Sequence, residues 1–356
     1  MRFSLFFEMQ ISNPTPEKER QTFHDCVAQA VLADEVGFDG IWAVEHHGLR
    51  EYAHSSAPEI FLSFVAARTK RIRIGHGVTL LPGRYNHPIR VAERIATLDI
   101  LSEGRVQFGT GKSGTRVEQG AFGIDPADLE AQWLEALRMI PRMWRDEVFS
   151  WKGTHYDVPP TQIVPKPVQA PHPPMFAACS RPELSAAAGA LGLGVLNLAI
   201  YRDEELASHV EGYRAAIRRA EPVGDVVTER FCCNPSSLVL RDDRKAAQYG
   251  LQGAQFFLRA MMAYYGTENR PLGPLRAPRQ MPSDANVEAF MAARNTSGSQ
   301  LSTVIGDPAC ARESVQRFVE AGVDELILVM QTGTQPHELV MESIRTTAED
   351  VIGHFK

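Results

Sequence analysis

Three short stretches of this sequence bring together side chains that could do chemistry. The first is Glu45-His46-His47, which closes the apolar run Gly40-Ile41-Trp42-Ala43-Val44. An imidazole changes charge near neutral pH, so a histidine at the edge of a buried element suits proton transfer or hydrogen-bond donation. Adjacent histidines on a strand point to opposite faces, and no H-E-x-x-H helix accompanies them, so a metal site is not expected. His46 reads either as a general acid/base or as a structural histidine that bridges loops.

The second stretch is Gly109-Thr110-Gly111-Lys112-Ser113-Gly114. It spells G-x-G-x-x-G, but the dinucleotide fingerprint needs a helix to start at once. The next clear helical pattern begins a dozen residues later, at Ala127. A nucleotide-hydrolase phosphate loop fails too, because it would need glycine where Val106 stands. A flexible strand end is expected, carrying one cation, Lys112, and open to an anionic ligand. The third stretch, Cys179-Ser180-Arg181-Pro182-Glu183, ends one apolar run and opens a helix. Its free N–H groups and positive dipole end suit a phosphate, against the plain alternative of an ordinary capped helix.

These stretches need a frame that puts them side by side. Apolar runs at Arg2–Phe7, Gly40–Val44, Ile72–Pro82, Gly104–Gly109, Met175–Ala178, Val195–Leu198, Arg230–Leu240 and Glu325–Met330 alternate with helical patterns. Short apolar strands separated by helices indicate βα units on a parallel sheet. Eight such units predict an α/β fold, a (β/α)8 TIM barrel, whose chemistry lies beyond the carboxyl ends of its strands. All three stretches lie at such ends. Residues 1–356 read as a single barrel domain with a small hairpin over 149–158, a proline-rich crossing to Pro174 and an insertion over 241–305 after strand seven. The insertion holds an aromatic-rich helix, Ala254 to Tyr265, with Phe256, Phe257, Met261, Met262, Tyr264 and Tyr265. It is expected to be a lid or substrate wall rather than packing over the barrel bottom.

Composition narrows the class. A net charge of -6 over 356 residues argues against a nucleic-acid binder. Cys26, Cys179, Cys232, Cys233 and Cys310 are odd in number and lack C-x-x-C spacing, which suits reduced thiols in the cytoplasm. The first apolar run is too short for a signal peptide, and no stretch of about 18 apolar residues exists to span a membrane.

Longer motifs add a resemblance. Trp42…Glu45-His46-His47, Arg71-Ile72-Arg73-Ile74-Gly75…Leu80-Leu81-Pro82 and His87-Pro88-Ile89-Arg90-Val91-Ala92-Glu93 occur in the order found in bacterial-luciferase-like flavin-dependent monooxygenases. Leu98-Asp99-Ile100-Leu101-Ser102-Glu103-Gly104-Arg105, Lys166-Pro167-Val168-Gln169 and Ala321-Gly322-Val323-Asp324-Glu325-Leu326 continue the match. It covers about residues 2 to 352 and weakens over 241 to 300. The resemblance implies reduced FMN delivered by a separate flavin reductase, reaction with dioxygen through a flavin 4a-hydroperoxide, a small organic substrate and a homodimer. Residue by residue it implies His46 as the histidine assisting chemistry at the flavin ring. It implies Lys112 where many members hold the phosphate with an arginine, Ser180 as the phosphate-binding serine, and Cys179 and Arg181 beside it. Gly77-Val78 matches the strand where members often hold a non-proline cis peptide under the ring, and Gly111 stands where the luciferase has a reactive thiol. Three other readings stay open: hydride transfer with the deazaflavin coenzyme on the same fold, a metal-dependent barrel hydrolase, and a flavin-binding relative without activity.

Overall fold

The structure is a computed structural model that describes residues 1–265, 273–276, 278–296, 299–301 and 303–356. Much of the expected loop from Gly266 to Pro282, and part of the Ser/Gly/Thr stretch from Asn295 to Thr303, therefore lies outside the described residues.

Eight parallel strands close into a barrel. They are β1 (Arg2–Phe7), β2 (Gly40–Ala43), β3 (Arg73–Leu80), β4 (Val106–Gly111), β5 (Met175–Ala178), β6 (Gly194–Leu198), β7 (Phe231–Asn234) and β8 (Glu325–Leu328). Each pairs with its sequence neighbour, and β8 returns to β1, with Leu5 opposite Ile41 on one side and Leu328 on the other. The strands are short and apolar because both faces are covered, and β2 and β4 are buried at every residue.

The outer helices start and stop on local signals. In α1 (Pro16–Val36) Thr15 caps the first turn, proline opens it, and Gly37 ends it at φ 101°. The layer continues with α2 (Pro58–Ala66), α3 (Pro88–Leu101), α4 (Arg116–Phe122), α5 (Leu129–Arg145), α6 (Pro182–Ala190) and α7 (Asp203–Ile217). After β7 come α8 (Asp243–Tyr265), α9 (Asp284–Ala293) and α10 (Pro308–Glu320), and α11 (His337–Asp350) follows β8.

The barrel interior has a charged floor and an apolar middle. At the amino ends of the strands, buried Glu325 accepts from Ser4 Oγ at 2.6 Å and Trp42 Nε1 at 3.0 Å, and pairs with Arg230 at 3.2 Å. A buried carboxylate is tolerated there because each oxygen has a donor. Above it Phe6, Trp42, Phe176, Leu196, Cys232 and Ile327 pack together, and Phe256, Phe257, Ala260 and Tyr264 of α8 join the same cluster.

The structure corrects three expectations from periodicity. A helix, α4, starts at Arg116, much sooner after the glycine-rich stretch than the pattern at Ala127 suggests; at seven residues it is too short to show a periodic stripe. The apolar run Arg230–Leu240 is not one strand. It divides at Pro235, and Ser236–Val239 leaves the barrel to pair in parallel with Thr303–Gly306. Proline has no N–H to continue a ladder, and Asn234-Pro235-Ser236-Ser237 interrupts the apolar residues where the strand ends. The aromatic helix begins at Asp243, not Ala254, so much of the insertion is a regular helix capping the barrel.

Candidate active site

At the carboxyl ends of the strands lies a cavity of about 280 Å3. Phe6, Val44, Val78, Leu80 and Leu196 form its apolar walls, and Glu8, Glu45, His46, Lys112 and Asn234 its polar ones. A larger depression of about 770 Å3 opens on the outer surface among Arg138, Arg142, Arg145 and Arg219, but no strand end of the barrel lines it. The strand-end cavity is where a barrel can converge residues from several strands on one ligand.

His46 is the centre of its charge. Its Nδ1 lies 3.0 Å from Glu118 Oε1 on α4. Glu118 is fully buried and also accepts from the His47 N–H at 2.9 Å, the Ser113 hydroxyl at 3.1 Å and the Thr115 hydroxyl at 2.6 Å. Burial by itself would raise the Glu118 carboxyl, but the His46 charge and these donors outweigh it and hold it below the usual carboxylate range. Burial would likewise lower the imidazole. Glu118, through charge and hydrogen bond, with Glu8 and Glu45 adding to it, instead raises it to about 9. The result is an imidazolium–carboxylate pair at neutral pH.

Of the other expected site residues, Gly77, Val78, Gly111, Lys112, Cys179 and Ser180 line the cavity with His46, and Arg181 does not. The Gly77–Val78 peptide is cis, and both residues line the cavity. Lys112 lines it too, with its ammonium paired to Glu130 and 5.4 Å above the Trp133 ring. Cys179 and Ser180, at the end of the neighbouring strand β5, line it as well. The Cys179 thiol is pushed up to about 12 by burial, so it is no thiolate. Arg181 is exposed at the N-cap of α6, outside the cavity lining. No side chain caps α6. His47 turns away: Nε2 contacts Glu45 at 3.1 Å and the ring stacks on Tyr85. Glu45 in turn accepts from the Leu80 N–H and Asn86 Nδ2, both at 2.8 Å, tying the end of β2 to that of β3.

The glycine-rich stretch has a packing explanation. A Cβ on Gly111 would sit 2.4 Å from Val78 Cγ2, and one on Gly114 would sit 2.4 Å from the Tyr265 ring. Both glycines let neighbouring side chains close the cavity. Tyr265 stands edge-on to His46 and Tyr52 at the end of α8. Beyond the undescribed residues, Arg279 grips buried Glu51 with bonds of 2.7 and 2.8 Å, and the Leu275 N–H adds another at 2.6 Å. The insertion is thus fastened to the loop between β2 and α2.

Sequence reasoning missed Glu118, Glu8, Tyr52 and Asn234. For Glu118 a signal existed, since Thr115-x-x-Glu118 has the capping-box spacing that marks a helix start. Here Thr115 Oγ1 accepts from the Glu118 N–H at 3.2 Å and also donates to its carboxylate. Elsewhere Asp243, Asp307 and Cys310 cluster with metal-ligand chemistry, but Arg294 already bonds both Asp243 oxygens, and none of the three lines the cavity. Among the described residues no helix is long and apolar enough to cross a membrane.

The model of a protein family described as luciferase-like monooxygenase matches residues 1–325. The oxygenase component of a flavin-dependent trigonelline monooxygenase from Acinetobacter baylyi is 26% identical over 94% of this chain and 90% of its own. An F420-dependent glucose-6-phosphate dehydrogenase from Amycolatopsis mediterranei is also 26% identical, over 85% of this chain and 87% of its own. Among solved structures, the monooxygenase RslO1 from Streptomyces bottropensis superimposes with a TM-score of 0.84 at 25% identity, covering 100% of both chains.

Proposed function

Because the chain belongs to the luciferase-like monooxygenase family, we propose that it is a flavin-dependent monooxygenase that uses reduced FMN and dioxygen to oxygenate a small organic substrate. The carrying observation is the His46–Glu118 pair, an imidazolium that lines a cavity built at the strand ends and whose Nε2 makes no hydrogen bond among the described residues. The residues present suit FMN. Asn197 and Asn234 line the cavity with carboxamide oxygens that have no partner among the described residues, ready for a polar ring edge. Lys112 and the uncapped start of α6 at Ser180 offer a cation and helix N–H groups to one phosphate. Lys112 is the one lysine or arginine among the described residues lining the cavity, which favours FMN over a coenzyme with a longer acidic tail.

When bound, reduced FMN would supply the activation of dioxygen. The chain's own part is to position and to exclude water. Gly77 and Val78 would form one wall of the ring site, Lys112 and Ser180 would hold the phosphate, and His46 Nε2–H would donate to an oxygen in the cavity. Tyr265 and the fastened insertion act as lid and substrate wall, keeping solvent from a reactive flavin. The related trigonelline enzyme is named as an oxygenase component, and a separate flavin reductase is the corresponding partner here. Five free cysteines fit a cytoplasmic setting. Ile60, Phe64 and Leu101 stand exposed on adjacent helices α2 and α3, an apolar face suited to a homodimer.

The test is an anaerobic titration with reduced FMN followed by mixing with oxygenated buffer. The expected result is tight binding and an absorbance transient that outlives the oxidation of free reduced FMN. His46→Ala should keep FMN bound and release peroxide faster. Binding of the deazaflavin coenzyme in preference to FMN, with no oxygen consumed, would replace this reading by hydride transfer.

A further inference from the structure

Glu8 follows β1 and lines the same cavity, 2% exposed. Its Oε1 accepts the Tyr52 hydroxyl at 2.7 Å, while Oε2 has no hydrogen-bond partner among the described residues. Oε2 lies 3.9 Å from His46 Nε2. That is too long for a hydrogen bond and close enough for strong charge coupling away from water. The ring is therefore held by Glu118 at Nδ1 and faced by Glu8 at Nε2.

A buried carboxyl oxygen left without a donor destabilises a fold, and groups of that kind mark functional sites. Among the described residues the Glu8 side chain hydrogen-bonds Tyr52 alone, and Phe6 and Val44, which line the cavity with it, belong to an apolar cluster. The charged and titratable groups coupled to Glu8 are His46, Tyr52, Glu118 and Tyr265, and Glu45 acts in addition on His46.

We propose that Glu8 is a positioning residue for His46, and that its protonation state sets how firmly the Nε2–H is held at the cavity. With Glu8 anionic, the imidazolium sits between two carboxylates and keeps its proton. When Glu8 Oε2 takes a proton from solvent, Oε1 still accepts from Tyr52, the pull on Nε2–H weakens, and His46 gives its proton more readily to an oxygen in the cavity. Burial pushes the Glu8 carboxyl up to about 7, although His46 and the Tyr52 hydrogen bond act against it. The inference rests on the reading of His46 as the proton-donating group and not on which cofactor the cavity holds.

The test uses the cofactor-free chain, so it does not depend on the flavin reading. Histidine-labelled protein is titrated from pH 5 to 10 by NMR, with His46 identified as the resonance missing from His46→Asn. Wild type should show a second inflection near pH 7 on the His46 signal. Glu8→Gln should remove it and lower the His46 midpoint by about one pH unit, a tenfold loss of proton affinity. Tyr52→Phe removes a bond that favours the Glu8 anion, so it should move the inflection to higher pH; this variant carries the test if Glu8→Gln does not fold. A His46 titration unchanged in either folded variant would overturn the proposal. Failure to bind FMN with these shifts present would instead overturn the flavin reading alone.

Discussion

Replacing Glu118 by Gln removes one charge and leaves the shape of a side chain on which the site is built. The imidazole of His46 rises from an ordinary 6.5 to about 9 in the folded protein, with Glu118 the leading cause that acts against burial. At about 1.4 kcal/mol per pH unit this corresponds to roughly 3 kcal/mol of folding free energy. The His46 side chain is 11% exposed and that of Glu118 0%, so solvent screens the pair little. Glu8 and Glu45 supply part of the total, and the glutamine still accepts hydrogen bonds, so about 2 kcal/mol should be lost. A raised histidine contributes stability that is fully present below pH 6.5 and disappears as pH rises through 9. Glu118 itself is lowered, so its contribution is present above its ordinary carboxylate value of 4.5 and disappears as pH falls through its depressed one. The gap between wild type and Glu118→Gln should therefore be widest between about pH 4.5 and 6.5 and shrink below about 1 kcal/mol by pH 9.5. Urea unfolding followed by tryptophan fluorescence at pH 6, 7.5 and 9.5 measures it. A gap that is constant with pH, or already under about 1 kcal/mol at pH 6, would refute the ion-pair account.

Lys112→Met should weaken FMN about ten- to a hundredfold, the worth of one charge-assisted hydrogen bond, while leaving riboflavin, which has no phosphate, almost unaffected. Equal losses for both flavins in equilibrium fluorescence titrations would remove Lys112 from the phosphate site. Light scattering should find a species of twice the 39.4 kDa chain mass, and Phe64→Lys on the exposed face of α2 should convert it to monomer without lowering the melting temperature of the isolated fold. A wild-type chain that stays monomeric at micromolar concentration would exclude that face as a dimer contact.

The barrel was legible because its signals are local. Thr15 and Pro16 open α1 and Gly37 closes it, and the buried strands are short apolar runs between such punctuation. Where a decision depended on distant chain it was not legible. The run through Phe231 and Leu238 reads as one strand; Pro235 breaks it locally, but that its second half leaves the barrel is decided by a parallel partner at Thr303–Gly306. The start of α4 carried a capping-box spacing, yet its seven residues are too few for a periodic stripe.

The same division runs through the site. Residue types and spacing determined that an imidazole, a cation and a helix start would stand at strand ends, because period and punctuation are properties of consecutive residues. They did not determine the state of those groups. His46 is an imidazolium because Glu118, 72 residues away, reaches its Nδ1 inside a space that excludes water. Gly114 must be glycine because Tyr265 lies against it. Burial, and the charges that burial brings together, depend on which segments meet, and only the closed barrel with its capping helix decides that.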